Sequence, residues 1–158
     1  METAALSEIR KSLHSLTQKE LVEICLRMAR HKKENKELLS YLLYYHGDEE
    51  GYIMAVKEEI EKQYAEINRA NTYFAMKGIR KTLRLTNKYI RYSGNKQTEV
   101  ELLIHFCSRL RVKGFRVHSS VALNNLFDRQ LLKIRKTISS LHEDLQFDYE
   151  QEMKKLGL

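Results

Sequence analysis

The stretch TQKELVEICLRMARH, residues 17–31, decides the fold class. Thr17 followed by Glu20 is an S/T-x-x-E capping box, in which side-chain oxygens satisfy the amides that a first helical turn leaves unpaired. Behind it Leu21, Ile24, Cys25 and Met28 recur at spacings of three and four, which places them on one face of a helix. The other face of that helix is charged. The chain around it has no proline and only six glycines in 158 residues, too few turn formers for a sheet protein. The expected fold is all-α, in a compact bundle or short helical array.

Working outward, Leu38, Leu39, Tyr41, Leu42, Leu43 and Tyr45 form a run dense enough to be buried nearly all round, ending at Gly47-Asp48. Thr98 with Glu101 offers a second capping box, and Asp48 reads as an N-cap. Gly51, Gly94, Gly114 and Gly157 mark helix boundaries, while Gly78 falls inside a helix. These signals predict seven helices, near 4–14, 18–31, 34–46, 51–68, 70–92, 98–112 and 119–155. The chain length suits a single domain over 1–158.

In the last segment Phe127, Leu131, Ile134, Ile138, Leu141 and Leu145 alternate spacings of four and three, as a helix seam does. Unbroken, 37 residues would run for about 55 Å, longer than the roughly 40 Å diameter of a compact chain of this size. A kink is expected at Ser139-Ser140, where Ser140 and Glu143 make a third capping box, and a homodimer through residues 119–155 is a further expectation.

Charge is distributed unevenly. Residues 1–68 carry a net −3, residues 69–116 a net +10, and residues 117–158 are neutral. No acidic residue lies between Glu66 and Glu99. At 100° per residue, Lys77, Arg80, Lys81, Arg84, Lys88 and Arg91 share an arc of about 100° on the fifth helix, apart from the core arc of Met76, Ile79, Leu83 and Ile90. A third sector holds Phe74, Leu85, Tyr89 and Tyr92, with Gly78 beside them, so the basic stripe is expected to be the helix's one wet face. Such a stripe repels itself by a few tenths of a kcal/mol per adjacent pair, so something should compensate it. The candidates are Glu58, Glu59, Glu61 and Glu66 on the preceding helix, an external polyanion such as nucleic acid, or an acidic protein. For a nucleic acid, the cations would meet phosphates, while Tyr89, Tyr92 and Tyr73 offer ring faces for bases. Arg109, Arg111, Lys113 and Arg116 would extend the patch or simply complement a helix dipole.

Enzyme signatures are missing: there is no Walker loop, dinucleotide fingerprint, HExxH or nucleophile elbow. Glu101 with His105, near Cys107 and joined by His46, Asp48, Glu49 and Glu50, is the best acid–base or metal constellation the residues allow. No catalytic residue, metal or cofactor is assigned. Cys25 and Cys107 each sit in an apolar pattern and read as small buried hydrophobes. No apolar run approaches the roughly 20 residues of a membrane span, and Met-Glu-Thr-Ala-Ala lacks a signal-peptide layout, so a cytoplasmic protein without a membrane partner is expected.

Leu16–Tyr45, and Ile79–Cys107 with its phrases IRKTLR, KYIRYS and TEVELL, resemble an uncharacterised bacterial family of small helical proteins. The resemblance implies helices and carries no activity or functional residue. Taken together, the residues point to a binding or scaffolding module that contacts nucleic acid or another polyanion through its basic stripe. One alternative is a structural homodimer or protein-interaction module with the stripe neutralised internally. A second is a metal-assisted phosphate-ester enzyme with carboxylates near Asp48 or Glu99.

Overall fold

The computed structural model describes residues 2–112, 115 and 120–158, and every described element of secondary structure is helical. The described helices are α1 (Leu6–His14), α2 (Gln18–His31), α3 (Lys33–Tyr44), α4 (Glu49–Ala65), α5 (Thr72–Ser93), α6 (Lys96–Val112), α7 (Val121–Ile138) and α8 (Glu143–Leu156). None is long and apolar enough to cross a membrane. The chain divides into two compact units, Met1–Tyr44 and Tyr45–Leu158.

In the first unit α2 packs on α3, and Asn35 Nδ2 donates to Met28 O across the joint at 2.9 Å. The Thr17 box forms as expected: the Glu20 amide donates to Thr17 Oγ1 at 3.3 Å, and the Thr17 amide to Glu20 Oε2 at 2.8 Å. The run in α3 is not buried all round. Tyr41 is buried, but Leu42 and Leu43 are exposed, and so are Met28 and Cys25 on α2. The physical reason is size, since about 40 residues enclose too little volume to bury every apolar side chain they carry.

The second unit is built around α6. Val100, Leu102, Leu103, Ile104, Phe106, Cys107 and Leu110 are all buried, so this helix is apolar on nearly every side and packs against α4, α5 and α7. Glu101, His105 and Arg109 recur every four residues among them and form a polar strip facing α4. There Lys57 Nζ meets Glu101 Oε2 at 2.7 Å, and the Tyr64 hydroxyl donates to Phe106 O at 2.9 Å. Partners rise in number together along the two helices, so α4 and α6 run parallel. Between them α5 returns antiparallel, held to α4 by the Tyr52 hydroxyl donating to Tyr89 O at 2.9 Å. Gly78 of α5 lies close against Ile67, just beyond the end of α4: a Cβ there would lie 2.8 Å from Ile67 Cγ1.

Several local expectations change. Thr98 does not cap α6. It lies within the first turn, fully buried, and its hydroxyl donates to Glu49 Oε1 at 2.7 Å, while Asn95 Oδ1 takes the Gln97 amide at 2.8 Å. The C-terminal segment breaks where the serines stand, into α7 and α8, but the capping residue is His142. Its Nδ1 accepts from the Asp144 amide at 3.4 Å, whereas the Ser140 hydroxyl folds back to donate to Thr137 O at 2.7 Å. Phe127, Ile134 and Ile138 of the seam are buried, with α7 packed against α6, while Leu131, Leu141 and Leu145 are half-buried. Asp48 caps α4 by accepting from the Gly51 amide at 2.9 Å, and Gly94 and Gly157 end their helices at φ of 67° and 68°, as their lack of a Cβ permits. Gly114, Lys113, Arg116 and His118 lie outside the described residues.

Candidate nucleic-acid interface

Helix α5 carries the site because its buried side is complete without any charge. Met76, Ile79, Thr82, Thr86 and Ile90 are buried and Leu83 is half-buried. The two threonines sit at the centre of this face. Their hydroxyls donate to carbonyls one turn back, Thr82 to Gly78 O at 3.1 Å and Thr86 to Thr82 O at 2.9 Å, so neither needs a partner from another helix.

On the opposite side Lys77, Arg80, Lys81, Arg84 and Arg91 are exposed, and Lys88 is half-buried. Lys81 Nζ lies 4.0 Å from Glu66 Oε2, a contact between two well-exposed side chains that contributes little. Lys77, Arg80, Arg84 and Arg91 form no ion pair with any described residue. The other carboxylates expected to neutralise them form no ion pair with Lys77, Arg80, Arg84 or Arg91. Glu61 meets Arg109 and His105 on α6, Glu59 accepts from Gln63 at 3.2 Å, and Glu58 is exposed with no described partner. From Lys77 to Arg91 the stripe covers 15 residues, and its ends stand about 21 Å apart along the helix.

Tyr89 and Tyr92 are placed differently from the cations. Their rings meet edge to face at 5.9 Å, Tyr52 approaches Tyr89 at 6.4 Å, and Lys88 Nζ sits 4.8 Å over Tyr89 and 5.9 Å from Tyr92. These faces are engaged in a cluster. Tyr73, four residues before Lys77 and on the same arc, is 71% exposed at the head of the stripe, its ring meeting that of Phe74 edge to face at 5.5 Å.

Residues that sequence reasoning did not single out join the site from α7. Arg80 and Leu83 of α5 face Asn125, Leu126, Arg129 and Gln130 across an open groove of about 360 Å³. Arg129 and Asn125 are exposed and bond to no described residue. Nothing in the local sequence announces them, because what matters is that α7 runs beside α5, with Lys133 Nζ donating to Asn87 Oδ1 at 3.2 Å.

The constellation around Glu101 does not assemble. Glu101 takes Lys57 and the Tyr149 hydroxyl, the latter at 3.2 Å, while Glu49 accepts the hydroxyls of Ser93 and Thr98. Glu99 pairs with Lys133 at 2.7 Å. Among the described residues no three His, Cys, Asp or Glu side chains converge on a point where a metal ion could bind. Cys107 is buried, and burial pushes its thiol up to about 12, which suits packing and not nucleophilic chemistry. Of the C-terminal cations of α6, Arg109 is turned to Glu61 and Arg111 donates to the carbonyls of Leu156 and Gly157, so neither extends the stripe. No family model, no curated protein and no solved structure matches this chain.

Proposed function

We infer that the protein is a binding module for a polyanion, and that the polyanion is a nucleic acid held through its phosphates along α5. The observation that carries this reading is the row of Lys77, Arg80, Arg84 and Arg91, exposed on one face and without a carboxylate among the described residues. Four uncompensated cations over about 21 Å repel one another, and a chain of regularly spaced phosphates relieves that repulsion by replacing condensed counterions. The buried face of α5 is independent of these charges, so the stripe can be spent on a ligand without loosening the core.

The test is fluorescence anisotropy of labelled DNA and RNA titrated at several salt concentrations. Neutralising four phosphates predicts a slope of log affinity on log salt of about −3 to −4. The variant Lys77→Gln/Arg80→Gln/Arg84→Gln/Arg91→Gln should remove most of that slope while leaving the thermal unfolding midpoint nearly unchanged, since surface charges contribute little to folding. Absence of binding at low salt, or binding that survives in the variant, would overturn the reading.

A further inference from the structure

The groove between α5 and α7 has features that the stripe alone does not need. Arg80 stands on both, as a member of the row along α5 and as one wall of the groove. Opposite it, Arg129 supplies a second guanidinium, and Asn125 an amide with no described hydrogen-bond partner. Leu83 and Leu126 are half-buried and give the groove apolar walls. The volume of about 360 Å³ falls at the small end of the range typical of sites for compact ligands, roughly 300–1,000 Å³.

Two guanidiniums, an unpaired amide and apolar walls are the groups that one nucleotide requires. The anion takes the guanidiniums, the base takes the apolar walls, and its polar edge takes the amide. A base in a duplex is stacked and paired, and bringing it out costs a few kcal/mol, whereas in a single strand it is already available. The row of further cations leading away from Arg80 suits a repeating phosphate chain better than one isolated phosphate on a peptide.

We propose that this groove holds one unstacked nucleotide of a single-stranded nucleic acid, its phosphate between Arg80 and Arg129 and its base against Leu83 and Leu126. The proposal rests on the stripe as a phosphate-binding face and adds strand selectivity to it. The stripe sets affinity for any nucleic acid. The groove makes the single strand the preferred form.

The experiment compares a labelled 15-nucleotide single-stranded DNA with its 15-base-pair duplex, using the wild type and Ala122→Leu/Asn125→Leu. That variant fills the groove from an exposed helix face and leaves every charge in place. Wild type should bind the single strand more tightly. The variant should lose about tenfold on the single strand, about 1.4 kcal/mol, and stay within about twofold on the duplex. Asn125→Ala, which cannot crowd the fold, should show a smaller loss with the same selectivity. Equal losses on both probes, or none on either, overturn the groove site and leave the stripe reading standing. If wild type binds neither probe at low salt, the stripe reading itself has failed. Binding of a phosphopeptide that Asn125→Leu abolishes, with no strand preference, would overturn the proposal in favour of a peptide ligand.

Discussion

The guanidinium of Arg109 on α6 meets the carboxylate of Glu61 on α4 at two points: Nη2 donates to Oε2 at 2.6 Å, and Nε lies 2.5 Å from Oε1. His105 Nε2 stands 3.1 Å from the same Oε1. The carboxylate is thereby drawn toward α6, away from the cations of α5. This orientation predicts that Glu61→Gln and Arg109→Met each destabilise the protein and are not additive. A double-mutant cycle in urea should give a coupling of about 1 kcal/mol, modest because the two side chains remain 30% and 32% exposed. Strict additivity would show that the pair contributes nothing.

His105 supplies a pH dependence. Burial holds its pKa below the usual histidine value, with Lys57 and Arg109 acting in the same direction and Glu61 opposing them. The unfolded chain therefore takes up a proton near pH 6.5 that the folded chain resists. The stability this contributes is fully present above about pH 6.5 and is lost as pH falls through that value toward the folded pKa. Denaturant midpoints measured from pH 7.5 down to 5 should decline in the wild type and decline less in His105→Gln.

Gly78 should not tolerate a side chain. A Cβ there meets Ile67 Cγ1 at 2.8 Å and Cγ2 at 3.0 Å, and Ile67 is buried. Alanine is ordinarily preferred to glycine inside a helix by about 1 kcal/mol, but overpacking costs about 1–3 kcal/mol, so Gly78→Ala should be net destabilising. Ile67→Ala removes the obstructing atoms. The double variant should then be more stable than the two single losses added together, and a melting experiment on the four proteins decides it.

The two thiols should separate cleanly. Cys25 is exposed, whereas Cys107 is buried with its thiol raised to about 12. At pH 8 an aromatic disulfide reagent should titrate one equivalent quickly in the folded protein and two in guanidinium. Fast reaction of both in the native state would show that α6 opens readily.

How much of this was legible depended on whether a residue's partner is near in sequence. The Thr17 box and the Asp48 cap involve donors three residues away, and both were readable. The stripe was readable because angular position on a helix follows from numbering alone. Thr98 carried the pattern of a cap, but its hydroxyl partner is Glu49, 49 residues earlier, which no local rule can reveal. Thr82 and Thr86 were absent from the expected core because their residue type reads as polar, although hydrogen bonding one turn back makes them acceptable there. Cys25 was misread for a different reason. A helical apolar face predicts which side chains share a side, not whether enough protein exists to cover them. The groove residues Arg129 and Asn125 became visible only once α7 was placed beside α5.

The parallel course of α4 and α6 sets the order in which the unit can assemble. Residues that bond across these two helices are 42 to 49 apart in the chain, and α5 must be laid down between them before they can meet. Neighbouring helices form hairpins through short loops, whereas closing the longer span costs chain entropy that its contacts recover only at the end. The Glu61–Arg109 junction should therefore form after the rate-limiting barrier. Its loss would then speed unfolding and leave the refolding arm of a chevron almost unmoved, making this seam the latch that governs how long the folded unit persists.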